Sequence, residues 1–214
     1  MKRSLRLCLV MATLLAAACA GGGGFNARGI EAARAGQYDQ AIAWFSKAME
    51  ADPGDSDFAM NRGLAYYSAR RYESALEDFA RALELNPDNG TVYMNRGSLY
   101  DDIGQPERAI EDYGQAIRLD PNDAMAYRNR SVAHLRGRDY QRALADLDRA
   151  IELDDSYAAA YLTRSCVHRA LNQEEAAASD HSRGVDLARR YPPDYVGTIT
   201  GQIESFCPPA NAVK

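Results

Sequence analysis

A short motif that returns at a fixed interval places the strongest constraint on the fold of this chain. The tetrapeptide MNRG occupies residues 60–63 and again 94–97, 34 residues later, and the related RNRS occupies 128–131 after another 34 residues. The same interval divides most of the chain into five frames, at 22–55, 56–89, 90–123, 124–157 and 158–191. Such a chain is expected to fold as a row of similar units, each packing on its neighbours.

Small and large residues recur at fixed places within the frames. The small columns are Gly29, Gly63, Gly97, Ser131 and Ser165, and Ala41, Ala75, Ala109, Ala143 and Ala177; a larger column is Phe45, Phe79, Tyr113, Leu147 and His181. Small residues on this schedule predict two helices that approach closely in every frame. Pro53, Pro87 and Pro121 predict where one unit ends and the next begins.

These columns resemble those of tetratricopeptide repeats, which are 34-residue helix–turn–helix units. The resemblance implies an all-α, right-handed solenoid of five helix pairs over 22–191, followed by a C-terminal tail or cap at 192–214. The fifth frame departs from the family pattern, with His181 in place of an aromatic residue and Arg189 in place of proline. Terminal repeats that cap a solenoid often depart from the family pattern in this way.

An arginine column is matched, 16 residues later in each frame, by an aspartate. The pairs are Arg62 with Asp78, Arg96 with Asp112, Arg130 with Asp146, and Arg164 with Asp180, whereas the first frame has Arg28 with Trp44. Hairpin symmetry brings the two members to the same level, so we expect ion pairs that specify packing rather than recognition.

A column of asparagines is not explained by packing within the hairpin. Asn61, Asn95 and Asn129 lie on the helix face that would line a concave groove in stacked repeats. The distance between neighbouring helices is about 10 Å, which is the length of three residues of an extended peptide at roughly 3.3 Å each. The carboxamides could therefore hydrogen-bond to a peptide backbone at every third residue. The alternative is that they simply suit a solvated face.

The other residues predicted for this groove are apolar or charged. The apolar residues of its floor would be Ile30, Met60, Leu64, Met94 and Val132. Asp101 and Asp102 would make it acidic, and Arg128, Arg136 and Arg169 would make it basic toward the C-terminal half. Such a surface favours a peptide of mixed polarity. The family members that clamp a C-terminal carboxylate carry a Lys and an Asn one turn apart, and this chain does not match them.

The N-terminus has the pattern of a bacterial secretory signal. Residues 1–18 place Lys2, Arg3 and Arg6 before an apolar run that is too short to span a membrane. The sequence LLAAAC at 14–19 resembles a lipoprotein box, which implies a lipid on Cys19, a Gly-rich tether at 19–24 and anchoring in the outer membrane. An ordinary cut at Ala18 or Ala20 is the alternative.

The charge and the cysteines restrict the remaining possibilities. Removal of the signal changes the net charge from −5 to about −8, which argues against nucleic acid as a partner and leaves the lipid as the only membrane contact.

Cys166 and Cys207 would then form a disulfide or remain as two free thiols. A disulfide would fold the tail over the last repeat, with Tyr195, Val196, Ile199, Ile203 and Phe206 covering apolar surface.

Neither a catalytic site nor a metal site nor a cofactor is predicted. The chain has no phosphate-binding loop, dinucleotide fingerprint or nucleophile elbow. His134 and His168 share a column with Tyr66 and Tyr100, which indicates a packed position rather than a ligand set. The sequence therefore predicts a non-catalytic scaffold that binds extended segments of envelope proteins. The alternative is an obligate subunit whose groove is permanently filled by its own tail or by a partner.

Overall fold

The computed structural model describes residues 21–207, with the side chains at 193–195, 202 and 205 excepted. This part of the chain contains eleven helices and no strand, which confirms the all-α class. The helices are α1, described over 21–34, and α2 Tyr38–Ala51, α3 Ser56–Ser68, α4 Tyr72–Leu85, α5 Gly90–Asp102, α6 Pro106–Leu119, α7 Ala124–Arg136, α8 Tyr140–Leu153, α9 Ala158–Ala170, α10 Glu174–Ala188 and α11 Pro193–Phe206. Each of the five frames therefore contains two helices, and α11 lies in the tail.

The turn inside each helix pair has the same backbone conformation in all five frames. A residue with positive φ follows the first helix, at Gly36, Arg70, Gly104, Arg138 and Asn172, each 34 residues after the last. In the second frame the N–H of Arg71 donates to the carbonyl of Tyr66 at 2.9 Å, the bond that closes a helix with a left-handed residue. Three of the five residues are not glycine, so the turn holds them in a conformation that L side chains rarely adopt.

The chain forms two compact units, Met1–Asn95 and Arg96–Lys214, with the boundary inside α5. In the first unit, Phe45 and Ile42 pack with Ala32, Ala41 and Ala65 between the helices of the first two pairs. In the second unit, one core cluster lies between α7, α8 and α9, and another lies between α9, α10 and α11. Alanine is frequent in these cores because the paired helices lie close together.

The glycine column marks the positions where paired helices approach each other most closely. A Cβ atom on Gly63 would lie 2.9 Å from the Phe79 ring, and one on Gly97 would lie 2.8 Å from the Tyr113 ring. Contacts of this length do not occur for real Cβ atoms, so any larger residue would force the two helices apart. This confirms the close approach predicted from the small-residue columns.

The glycine-rich segment differs from its predicted role as a flexible tether. Residues 21–24 are helical and belong to α1, and Gly22 is buried. A Cβ atom on Gly22 would lie 3.0 Å from the Phe58 ring of α3, so packing against α3 supports a helix that glycine by itself disfavours.

The signal peptide, the lipidation site Cys19 and the residues after 207 lie outside the described residues. Over the part that is described, we find no helix both long enough and apolar enough to cross a membrane.

Candidate functional site

Four arginine–aspartate pairs hold the helix pairs together, as the sequence predicts. The Nε and Nη2 atoms of Arg62 donate to the carboxylate oxygens of Asp78 at 2.8 and 2.7 Å. The pairs Arg96–Asp112, Arg130–Asp146 and Arg164–Asp180 have the same two-bond geometry. Because all four aspartates are buried, these pairs belong to the interior rather than to a ligand-binding surface.

The histidine column packs against these ion pairs. The Nε2 atom of His134 lies 3.8 Å from an oxygen of Asp146, and that of His168 lies 3.5 Å from an oxygen of Asp180. Burial lowers the pKa of His134 below its ordinary value. In the two preceding frames the same column holds Tyr66 and Tyr100, whose ring centres lie 5.8 and 5.9 Å from the guanidinium carbons of Arg62 and Arg96. Within the described chain, no group of three His, Cys, Asp or Glu side chains is placed to hold a metal.

The first unit contains a concave pocket of about 320 Å³ lined by residues of α1, α2 and α3. Its lining includes Ile30, Leu64 and Asn61, which the sequence places in the groove, together with Tyr38. The Nδ2 atom of Asn61 donates to Oδ1 of Asn26 at 3.0 Å, so one hydrogen-bonding position of this carboxamide is already used. Met60, Met94 and Asn95 are half-buried in the same unit.

The second unit places Asn129 beside a guanidinium group. The Nη1 atom of Arg128 lies 3.4 Å from Oδ1 of Asn129, and its Nε atom lies 3.4 Å from Oγ1 of Thr163. Both bonds are long, and burial lowers the pKa of Arg128. Val132, predicted for the groove floor, is only 5% exposed and therefore has little surface to offer a ligand.

An ion pair between α5 and α7 lies close to Arg128. The Nη1 atom of Arg136 is 2.6 Å from Oδ2 of Asp101 and also donates to the Asp101 carbonyl at 3.0 Å. Desolvation is the main cause that raises the pKa of Asp101, and Arg136 opposes it. The other carboxylate oxygen, Oδ1, is buried and has no hydrogen-bond partner among the described residues.

The C-terminal helix α11 packs onto the last repeat of the second unit. Cys166 of α9 and Cys207 form a disulfide with their Cα atoms 5.6 Å apart. Ile199 and Ile203 are buried against Leu187 and the surrounding cluster, and Val196 packs against them. The side chain of Tyr195, which the sequence also assigns to this contact, lies outside the described ones.

Phe206, the last residue of α11, contacts two arginines of the predicted groove. The centre of its ring lies 5.8 Å from the guanidinium carbon of Arg128 and 5.9 Å from that of Arg136. The ring also packs on the core cluster that contains Leu135 and Val167. The sequence predicts that Phe206 packs on the last repeat but does not predict its contact with the two arginines.

A second spacing identifies groove contacts that the sequence analysis missed. Asn26 with Asn61, Asp101 with Arg136 and Arg128 with Thr163 are each separated by 35 residues, one repeat plus one position. Complementary polar residues at this offset would have predicted contacts between successive repeats, just as the offset of 16 predicts contacts within them.

These groups can bind a chain of mixed polarity but show no arrangement for catalysis among the described residues. Carboxamides both donate and accept hydrogen bonds, a guanidinium donates several, and an unsatisfied carboxylate oxygen accepts. The apolar residues beside them provide surface for side chains of a bound segment.

Comparison with known proteins gives a family and a fold. The model of the tetratricopeptide repeat family matches residues 26–90 and 94–158. No curated protein sequence matches the chain.

Several solved structures share the fold. The crystal structure of MamA is 19% identical, with a TM-score of 0.68, over 76% of this chain and 95% of that one. MamA residues 41 to the end, from Desulfovibrio magneticus RS-1, are 17% identical, with a TM-score of 0.71, over 79% and 96%. YrrB, described as a TPR protein with an unusual peptide-binding site, is 18% identical, with a TM-score of 0.64, over 85% and 90%. At these identities the likeness concerns the fold.

Proposed function

Because the chain belongs to the tetratricopeptide repeat family, whose fold is typically a non-catalytic scaffold for protein interactions, we propose that it is an adaptor binding extended segments of bacterial envelope proteins. The observation that carries this proposal is the concave pocket of the first unit, which combines the carboxamide of Asn61 with the apolar side chains of Ile30 and Leu64. Such a combination suits a peptide backbone with apolar side chains on one side.

The charged groups of the second unit support a segment of mixed polarity. Arg128 offers a cation whose hydrogen bonds to Asn129 and Thr163 are long, and Asp101 offers an acceptor oxygen without a hydrogen-bond partner among the described residues. A peptide backbone can donate a hydrogen bond to Asp101 and accept one from Arg128, because it carries one donor and one acceptor per residue.

Replacement of Asn61, Asn95 and Asn129 together by alanine tests the role of the carboxamides. We expect the helical circular dichroism to stay the same and the melting temperature to change little. Partner binding should weaken by about 0.5–1.5 kcal/mol for each hydrogen bond lost. Binding can be measured by recovery of partners from detergent-solubilised envelopes with immobilised protein.

A matched control is Asn26→Ala, which removes the bond between Asn26 and Asn61 but leaves all three groove carboxamides. We expect this variant to retain most of its binding. If the triple variant recovers the same partners in the same amounts as the unchanged protein, the asparagines are only a solvated face.

A second candidate function is an obligate subunit whose groove remains filled. The observation that favours it is the contact of Phe206 with Arg128 and Arg136, which places the protein's own tail on the groove side of the second unit. The envelope recovery experiment separates the two functions, because an adaptor yields several substoichiometric partners and a subunit yields one in a fixed ratio.

The proposed location is the periplasm, with an anchor in the outer membrane through a lipid on Cys19. Mass spectrometry of the mature protein should show an acylated N-terminal Cys19, and Cys19→Ala should move the protein from the membrane fraction to the soluble fraction. An unmodified N-terminus at Ala20 or Gly21 would instead identify an ordinary secreted protein. The neighbouring cysteine Cys8 provides the control, since Cys8→Ala alters the signal peptide alone and should leave the protein anchored.

A further inference from the structure

The last residue of α11 packs on charged side chains that could themselves bind a ligand. Phe206 lies over the guanidinium groups of Arg128 and Arg136 and remains half-buried. Both guanidinium carbons lie over the ring, an arrangement that is favourable for an aromatic side chain and not for an aliphatic one. We call the surface formed by Arg128, Arg136 and Asp101 the arginine subsite.

The hydrogen bonding of the arginine subsite is incomplete with the tail in place. Arg136 satisfies Oδ2 and the backbone carbonyl of Asp101, whereas Oδ1 has no hydrogen-bond partner in the described chain although it is buried. The two hydrogen bonds that Arg128 donates to described residues are 3.4 Å long, at the long limit for such interactions. Phe206 brings an aromatic ring but neither a donor for Asp101 nor an acceptor for Arg128.

The tail is held at this position by a covalent bond to the next residue. Cys207 follows Phe206 directly and is joined to Cys166, with 5.6 Å between their Cα atoms. Ile199 and Ile203 anchor the preceding turns of α11 in a core cluster with α9 and α10, against which Phe206 also packs. Phe206 is thus tethered at high effective concentration, while Ile199 and Ile203 hold the rest of α11 in place.

We propose that the arginine subsite binds an aromatic side chain of a partner segment, and that Phe206 is a tethered occupant which the partner displaces. The inference rests on the proposed function in that it takes the groove to bind extended segments. It adds that the segment carries a phenylalanine, tyrosine or tryptophan whose flanking backbone donates to Asp101 and accepts from Arg128. The tail lowers the apparent affinity by the fraction of molecules in which it occupies the subsite.

The experiment uses the mature chain with its disulfide intact and short synthetic peptides as probes. The peptide acetyl-Ser-Phe-Ser-amide carries the aromatic residue, and acetyl-Ser-Leu-Ser-amide is the matched aliphatic control. Binding is followed by NMR through the side-chain Nε–H signals of Arg128 and Arg136. We expect Phe206→Ala to bind the Phe peptide at least ten-fold more tightly than the unchanged protein, and to bind the Leu peptide at least five-fold more weakly than the Phe peptide.

A second variant ties the effect to the arginine subsite. Phe206→Ala combined with Arg128→Gln should lose the preference for the Phe peptide, while its circular dichroism and melting temperature show that it remains folded. The proposal is overturned if Phe206→Ala binds the two peptides equally, or if the unchanged protein binds the Phe peptide as tightly as Phe206→Ala does.

The experiments distinguish failure of the arginine subsite from failure of the adaptor function. Recovery of several envelope partners, together with no preference for the aromatic peptide, would overturn the arginine subsite and leave the adaptor standing. A clear preference for the aromatic peptide without any recovered envelope partner would do the reverse.

Discussion

Replacement of Arg62 by methionine is expected to destabilise the first unit by about 3–5 kcal/mol, because it leaves a buried carboxylate without its cation. Asp78 has a side chain that is only 6% exposed, and its two oxygens receive the Nε–H and Nη2–H bonds of Arg62. Methionine replaces the apolar stem of arginine but provides no donor. The loss would appear in the denaturant midpoint followed by circular dichroism.

Two controls separate the buried charge from a simple loss of contact. The double variant Arg62→Met with Asp78→Leu removes both charges and is expected to recover most of the stability, since a buried ion pair can be replaced by apolar residues at little cost. The exposed pair Arg71–Asp39 is the second control, with side chains 52% and 80% exposed. Arg71→Met should change stability by no more than about 1 kcal/mol.

The result that would contradict this account is a similar, small effect of Arg62→Met and Arg71→Met. Water would then reach Asp78 in the variant, and the column of ion pairs would not be part of the interior. Because a repeat protein can unfold in parts, amide exchange of α3 and α4 should accompany the denaturant measurement.

Loss of the disulfide is expected to cost about 3–4 kcal/mol in the second unit, through the entropy of the closed loop in the unfolded chain. Cys166 and Cys207 are 41 residues apart in sequence, so the bond closes a long loop. Cys207→Ser is the preferred variant, because Cys207 is half-buried whereas Cys166 is 2% exposed and a hydroxyl there would lack water. The melting temperature should fall, and amide exchange should become faster in α9, α10 and α11 than in α7 and α8.

Reduction of the unchanged protein is the matched control for Cys207→Ser. Both should show the same loss, since each removes the cross-link and keeps the packing of Ile199 and Ile203. Non-reducing peptide mapping of protein taken from the envelope provides the decisive measurement. Free thiols at both Cys166 and Cys207 would contradict the bond, and equal melting temperatures with and without reductant would contradict its contribution.

Features that repeat within a frame could be predicted from the sequence, because they depend on spacing along one helical hairpin. The glycine column predicts where Phe79 and Tyr113 lie against a neighbouring helix, and the structure places them there. The arginine–aspartate offset of 16 predicts all four ion pairs. In the first frame, where tryptophan replaces aspartate, Arg28 lies 5.0 Å from the Trp44 ring instead.

Other features depend on what packs against a residue from elsewhere in the chain. Residues 21–24 look like a flexible tether in sequence, yet they are helical because the Phe58 ring of α3 covers Gly22. Arg70 and Arg138 adopt a left-handed conformation that their residue type does not favour, because the turn must close the preceding helix at that position.

The candidate site likewise combines positions that local sequence sets with contacts that tertiary packing sets. The positions of Asn61, Asn129 and Arg128 on an inner helix face follow from a helical period of 3.6 residues, which local sequence sets. Their partners do not follow, because Asn26, Thr163 and Phe206 come from other helices whose distance and angle depend on how repeats stack. Hairpin geometry is local and is therefore readable from one frame, whereas contacts between repeats and with the tail require the packed structure.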